Sequence, residues 1–317
     1  MIKFRWIYTL IPYSILCGSV NEPLRWEWET GYRNDTLHWH LKNPADRGDV
    51  SYSERYRDLQ YWENALTLRA IYRDIAIFVR GSFGSFGQGS LKQKYANLNF
   101  TPETPIFSWL PSSWNSDCWG YFGYSVNLTA DRIYHVILIP MIGYGLNIEQ
   151  LNSDGLRTFS GSAIFPAQSF SMTTVLPGKE RMCWFGPLFG GVFIIQPGGR
   201  LQFEAGYAYH RLHLRFRMKR KTKVSLYSAN GDLMQINERL EKVKIKDGSN
   251  LAHTGWGRVD YFLFDNWRVG LETEIQYFGS RILDAAIKNE ATSERSSQKF
   301  KARWTAISGT FVLSRTF

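Results

Sequence analysis

The feature that most constrains this chain is a polarity that repeats every second residue, in segments joined by alternately short and long connections. Trp267, Val269, Leu271, Thr273, Ile275 and Tyr277 share one face, and Arg268, Gly270, Glu272, Glu274 and Gln276 share the other. A period of two is the signature of an extended strand with two unlike faces. Leu24, Trp26 and Trp28 alternate in the same way with Arg25, Glu27 and Glu29, and Ile75, Ile77 and Val79 with Ala76, Phe78 and Arg80. So do Leu201, Phe203, Ala205, Tyr207 and Tyr209 with Gln202, Glu204, Gly206, Ala208 and His210. Tight connections fall at Arg73-Asp74, Thr129–Arg132, Pro197–Arg200 and Asp265-Asn266, as hairpin turns do. Between them lie long stretches at about 43–60, 88–117, 149–182, 218–252 and 282–297. Several structureless loops of that length argue against a compact soluble domain.

One architecture expects both lengths: an antiparallel transmembrane β-barrel, with short periplasmic turns and long extracellular loops. The pattern predicts an all-β fold of ten strands, at about 24–41, 61–72, 75–87, 118–128, 133–147, 183–195, 201–216, 256–264, 267–280 and 299–317. An even count returns both ends to the periplasm. Trp62, Trp119, Trp184 and Trp256 near the outer strand ends predict an outer aromatic girdle, with Tyr134, Trp267 and Trp26 at the inner one. The dyad changes parity between Tyr32 and Leu37 and again between Tyr209 and Leu212, which reads as two bulges. Ile133–Leu146 is apolar on both faces, but Pro140 and its length argue against a spanning helix.

The first nineteen residues carry Lys3 and Arg5, then an apolar run to Cys17, then Gly18 and Ser19. That order describes a secretory signal, removed on export, and leaves residues 20–317 as one barrel domain. An aromatic content of 16% is too high for a disordered chain. The remaining thiols, Cys118 and Cys183, are candidates for a disulfide in an oxidising compartment, or for free or inter-chain thiols.

The chain ends on Phe317, preceded at even spacings by Leu313, Phe311 and Ile307. In this it resembles bacterial outer-membrane β-barrel proteins, whose last strand ends in an aromatic residue. The resemblance covers the whole exported chain and implies the outer membrane as location and delivery to the barrel-assembly machinery through Phe317. Arg315 departs from the pattern, which usually has an apolar residue or Tyr there. In strand number and length the chain is similar to the omptin proteases and to the Opc-type adhesins, and in its Trp-rich strands to uncharacterised outer-membrane proteins of chlamydia-like bacteria. Omptins activate water with an Asp-x-Asp pair and an Asp-x-His pair at the outer rim. The long loops contain no Asp-x-Asp, and Ala208 stands where the acidic partner of His210 would be. No catalytic residue carries over, and the chain is not expected to be an enzyme.

Ten strands about 4.8 Å apart, tilted near 40°, enclose a backbone cylinder roughly 20 Å across. The inward face holds Glu27, Glu29, Glu63, Arg69, Arg80, Glu204, Arg258, Asp260, Arg268, Glu272 and Glu274. Mixed charges in so narrow a space predict a paired network and a closed lumen, with a narrow porin as the alternative and an omptin-like protease as the second. Arg215, Arg217, Lys219, Arg220, Lys221 and Lys223 open the fourth outer loop and form a candidate site for lipopolysaccharide or an anionic host polysaccharide. Nucleic acid is excluded as a partner by export, despite a net charge of +10. His38 and His40 share a face as a metal pair could, but interface imidazoles fit better, so no metal or cofactor is expected. The expected role is therefore structural or adhesive, at the cell surface, through basic loops.

Overall fold

A computed structural model describes residues 22–42, 50–95, 113–129, 135–153, 156–162, 169–175, 178–227, 233–246, 250–264, 266–289, 293 and 295–317. The signal segment and Tyr134 lie outside them. Fifteen strands follow in order: β1 Glu22–Lys42, β2 Val50–Tyr72, β3 Ile75–Tyr95, β4 Trp114–Tyr124, β5 Val126–Asn127, β6 His135–Ser153, β7 Leu156–Ser162, β8 Ser169–Val175, β9 Gly178–Gln196, β10 Leu201–Tyr227, β11 Leu233–Lys246, β12 Asn250–Phe264, β13 Trp267–Gly279, β14 Leu283–Asn289 and β15 Arg295–Thr316.

Ten of these close a ring of antiparallel pairs. The path runs β1–β2–β3–β4–β6–β9–β10–β12–β13–β15 and returns to β1, with β5 extending the β4 position against β6. Closure is complete: β1 and β15 pair from Arg25↔Thr316 to Lys42↔Lys299, and the Phe317 amide donates to the Leu24 carbonyl at 3.0 Å. A ring without edges satisfies every ladder, which is the condition for crossing lipid as strands. At the periplasmic end β2 turns into β3 through Arg73 and Asp74, both at positive φ (46° and 69°), a two-residue hairpin whose twist matches its strands. Gly198 and Gly199, at φ 93° and 73°, turn β9 into β10.

The described parts of the long connections are largely strand. Strands β2, β3, β9 and β10 run well past the expected boundaries, and Arg215–Lys223 belongs to the 27-residue β10 rather than to a loop. At the outer end the ring is rebuilt: β11 pairs with β10, β14 with β11, and β15 with β14. These two strands take over above the point where β12 and β13 leave off. A separate hairpin, β7–β8, pairs Leu156↔Val175 through Ser162↔Ser169.

The parity changes have a different cause from the one expected. On β1 the odd residues point inward throughout, from Arg25 to Leu41, and its pairing with β15 is continuous. On β10 the even residues point inward from Gln202 to Met218, again without a shift against β9. Neither strand bulges there. What inverts is polarity. In the lower part the wall shows apolar side chains outward, among them Leu24, Trp28, Leu66, Ile77, Phe203, Leu271 and Phe311, with polar ones inside. In the upper part Leu37, Trp39, Leu41, Tyr56, Trp184, Leu214, Phe216, Phe300 and Trp304 point inward and fill the barrel, with His38, His40, Arg55, Arg215 and Arg217 outside. The bulge of this region lies on β2, where Asp58 (φ 53°) marks a register shift against β1.

The outer girdle is corrected as well, Trp184 by this inversion and Trp119 and Trp256 because they keep the inward parity of Asp117 and Arg258. Trp62 is 56% exposed on the outer wall, but Trp184 and Trp256 are buried inside and Trp119 packs against the lower interior cluster. That cluster also explains the two-sided apolar segment. Ile137, Ile139 and Met141 on β6 join Phe78, Tyr121, Val192 and Ile194 to form an apolar sector of the lower interior, while Leu138 and Ile142 face out.

Trp39 is fully buried, with its ring 5.4 Å from that of Phe216 and 5.9 Å from that of Phe300. Trp39→Ala is expected to destabilise the fold by about 3–5 kcal/mol, whereas Leu66→Ala on the outer wall changes little. The temperature at which the folded band disappears on a semi-native gel measures both, and equal effects would disprove an interior apolar plug.

Candidate functional site

Below the plug the interior is a buried ionic network, because each inward position of the lower strands is closed off from the lipid by its own wall. Arg258 bonds Glu27 at 2.6 Å and Asp260 at 2.8 Å. Arg25 at 2.7 Å and Arg69 at 3.3 Å also stand as ion pairs beside Glu27. Arg69 grips both carboxylate oxygens of Glu204, which accepts the Trp256 indole N–H at 3.1 Å as well. Arg80 joins Glu29 and Glu63, each at 2.9 Å, and Thr67 donates to Glu29 at 2.6 Å. Arg33 reaches Asp35 at 2.8 Å, Glu63 at 3.4 Å, Gln276 at 3.2 Å, and Asp117. Buried ions persist only when paired in this way.

All eleven charges expected on the inward face lie inside, each less than a tenth exposed. Arg268 stacks over Phe262 at 4.3 Å and bonds Gln202 at 3.1 Å, and Glu272 stands 3.9 Å from Arg258. Glu274 accepts from Gln276. Sequence reasoning missed Arg33, Asp35, Asp117 and Glu149. Arg33 and Asp35 continue the odd parity of Glu27 and Glu29, a signal masked by the supposed bulge. Asp117 and Glu149 stood in stretches assigned to loops; the Tyr61 hydroxyl donates to Glu149.

A small pocket lies between network and plug, lined by Asp117, Asn147, Trp184, His210, Thr254 and Phe278 among others. Gly206 makes room for the Trp256 indole nearby; a Cβ there would overlap the ring. His210 is buried and hydrogen-bonded to the Thr254 hydroxyl at 3.1 Å. Asp117 is held by Arg33 and Asn147 instead. Among the described residues His210 makes no hydrogen bond to a carboxylate.

On the outer wall, Arg215, Arg217 and Lys219 are exposed on one face of β10. The side chains of Arg220, Lys221 and Lys223 lie outside the described residues. Register adds partners that sequence order hides. Arg217 sits opposite Arg181 of β9 and Lys244 of β11, and Lys219 opposite Lys179 and Lys242. Like charges placed directly opposite repel, and this face is a cationic grid across three strands.

Cys118 and Cys183 are both free. They stand on β4 and β9 with β6 between them, opposite Leu146 and Ile148 respectively. Two strand spacings, about 9–10 Å, exceed the reach of a disulfide, and of the alternatives open to the two thiols this favours the free and inter-chain ones. At the periplasmic rim Trp26 and Trp267 pack edge to face at 6.1 Å, and Arg315 lies over the rings of Trp267 (5.4 Å) and Phe317 (5.1 Å). Its charge is thus sheltered by aromatic faces at the position where an apolar residue is usual. Among the described residues no group of three His, Cys, Asp or Glu could hold a metal ion.

A model of the family described as "Pom: Protochlamydia outer membrane protein" matches residues 27–317. No curated protein matches the chain. Among solved structures, the outer membrane protease OmpT from Escherichia coli superposes with a TM-score of 0.67 at 12% identity, over 95% of this chain and 99% of that one. The P. putida toluene transporter TodX aligns at 9% identity over 95% of this chain and 93% of its own, with a TM-score of 0.36. The OmpT likeness is one of fold: a ten-stranded outer-membrane barrel.

Because Glu204 is buried against Arg69, Arg69→Met is expected to destabilise the barrel by about 3–5 kcal/mol, with Arg69→Met/Glu204→Leu recovering most of that loss. Urea unfolding in lipid measures both. A single variant as stable as the wild type would mean the pair carries no structural role.

Proposed function

The chain belongs to the Protochlamydia outer membrane protein family, and on that premise we propose that it is a closed surface barrel without chemistry of its own, acting through a basic outer wall. The observation that carries this reading is the filled interior. Paired charges occupy the lower half, and Trp39, Trp184, Phe216, Phe300 and Trp304 close the upper half. A narrow porin needs a water path through both layers, and side chains stand in its way. Proteolysis of the omptin kind needs an accessible imidazole paired with an acid; His210 is buried, bonded to Thr254, with Ala208 beside it.

The wall that remains is chemically simple. Arg215, Arg217 and Lys219, joined laterally by Arg181, Lys179 and Lys244, favour phosphate or sugar carboxylates. The partners of this reading are outer-membrane lipid and lipopolysaccharide, and an anionic host polysaccharide where the protein serves as an adhesin. Phe317 is 63% exposed at the periplasmic rim, where the barrel-assembly machinery could read it before closure.

Planar-bilayer recordings are expected to show no sustained openings; steady large steps would defeat the closed reading. Replacing Arg215, Arg217 and Lys219 by Ser is expected to lower affinity for lipopolysaccharide or heparin at least tenfold, and unchanged binding of both would remove the basic wall as the working surface.

A further inference from the structure

The seam that closes the barrel carries a second cationic cluster, on the side away from β10. His38 of β1 lies opposite Arg55 of β2 and, on its other flank, opposite Arg303 of β15. One step higher on the same face His40 lies opposite Lys301, and above it Lys42 opposite Lys299. Arg55 and Arg303 are exposed, and both imidazoles are half-buried, their ring centroids 5.8 Å apart. Among the described residues none of Arg55, His38, Arg303, His40 and Lys301 forms an ion pair with a carboxylate, whereas Lys299 is bonded to Asp284 at 2.5 Å. These positions stand above the apolar band, outside the membrane-spanning part of the strands.

Two histidines on alternate residues of a strand first suggest a metal. Their neighbours say otherwise. No thiol or carboxylate faces them across the ladder, and a divalent cation would enter a field of arginines and lysines. Partial burial and the flanking Arg55 and Arg303 lower the pKa of His38. Burial with His38, Lys42, Lys301 and Arg303 pushes that of His40 down to about 4. Both rings are therefore neutral at pH 7 when the cluster is empty, and an anion seated among them would favour their protonation.

Height selects the anion. The outward apolar residues of β1 end at Tyr32, which is 44% exposed, and Asn34 follows. His38 lies four to six residues higher, about 10–15 Å above the band at a rise of about 3.3 Å per residue and a tilt near 40°. A phospholipid headgroup layer is only about 5–7 Å deep. Phospholipid phosphates fall short of the cluster, while the charged sugars of a glycolipid reach it. A glycolipid neighbour also meets this wall by lateral diffusion, since the wall continues directly into the lipid-facing surface of the same three strands.

We propose that Arg55, His38 and Arg303, with His40 and Lys301 above them, form a site for the anionic sugars of an outer-leaflet glycolipid, bridging the strands that close the barrel. The carboxylate or phosphate of one sugar would sit between Arg55 and Arg303, and the next would meet His40 and Lys301. The proposal rests on the membrane orientation of the reading above, and it concerns a face that the β9–β11 grid does not reach.

The test uses the folded full-length barrel in detergent with four probes: lipopolysaccharide retaining its acidic core sugars, lipid A alone, phosphatidylglycerol and heparin. Core-bearing lipopolysaccharide is expected to bind at least tenfold more tightly than lipid A or phosphatidylglycerol, and Arg55→Gln/Arg303→Gln to lose about tenfold of that affinity. His38→Asn/His40→Asn, which alters only the wall, covers the case in which the arginine variant fails to fold, and is expected to lose at least threefold. Nitrogen-15 imidazole signals at pH 7 should move toward the protonated form when core-bearing lipopolysaccharide is added, and not with lipid A. Equal binding of lipid A, or affinity for heparin without affinity for lipopolysaccharide, overturns the assignment. Loss of binding in Arg215→Ser/Arg217→Ser/Lys219→Ser with none in either seam variant overturns the seam site and leaves the basic-wall reading intact; loss in no variant overturns both.

Discussion

Everything in this barrel follows from a change of surroundings partway along continuous strands. Where the wall meets lipid, its outward side chains are apolar and its inward ones must be polar and mutually bonded, or apolar and packed. Where the same strand rises into water, the preference reverses, and the interior is filled as a soluble barrel's would be. Strand β1 carries both regimes on one unbroken parity: Arg25, Glu27, Glu29, Arg33 and Asp35, then Leu37, Trp39 and Leu41, all inward. The molecule is in this sense two cores stacked in one cylinder, one ionic and one aromatic, with the Arg33–Asp117–Asn147 layer between them.

That reversal also explains what could be read from the sequence and what could not. The ring of ten, the turns at Arg73-Asp74 and Pro197–Arg200 and the inward charges were legible, because period two plus an apolar outer face leaves little choice of side. The outer half was not. A strand that keeps its parity while its polarity flips looks like a bulge between Tyr32 and Leu37 and between Tyr209 and Leu212, and it hides the inward side of Trp184; Trp256, in the lower cluster, instead shares the inward parity of Arg258. Charge runs were legible only along the chain. The grid of Arg181, Arg217 and Lys244, and the row of Arg55, His38 and Arg303, exist through strand register, which one sequence does not display.

The interior and the wall divide the work. Inside, carboxylates and guanidinium groups are consumed by one another, and the imidazole of His210 is tied to Thr254. Reactive side chains are spent on holding the cylinder. Outside, cations stand in lateral rows, among them Arg55, Arg303 and Lys301, which form no ion pair with a carboxylate among the described residues. The fold shared with OmpT carries here, among the described residues, paired charges inside and rows of cations over the part that leaves the membrane.

The handover from β12 and β13 to β11 and β14 has one more consequence. The circumference in the bilayer is set by one group of strands and the circumference in water by a partly different group. Mutational drift in the upper hairpins can therefore reshape the exposed tower without disturbing how many strands the lipid must accommodate. A lineage under pressure to alter what it displays could redraw the turret while leaving the foundation as it was.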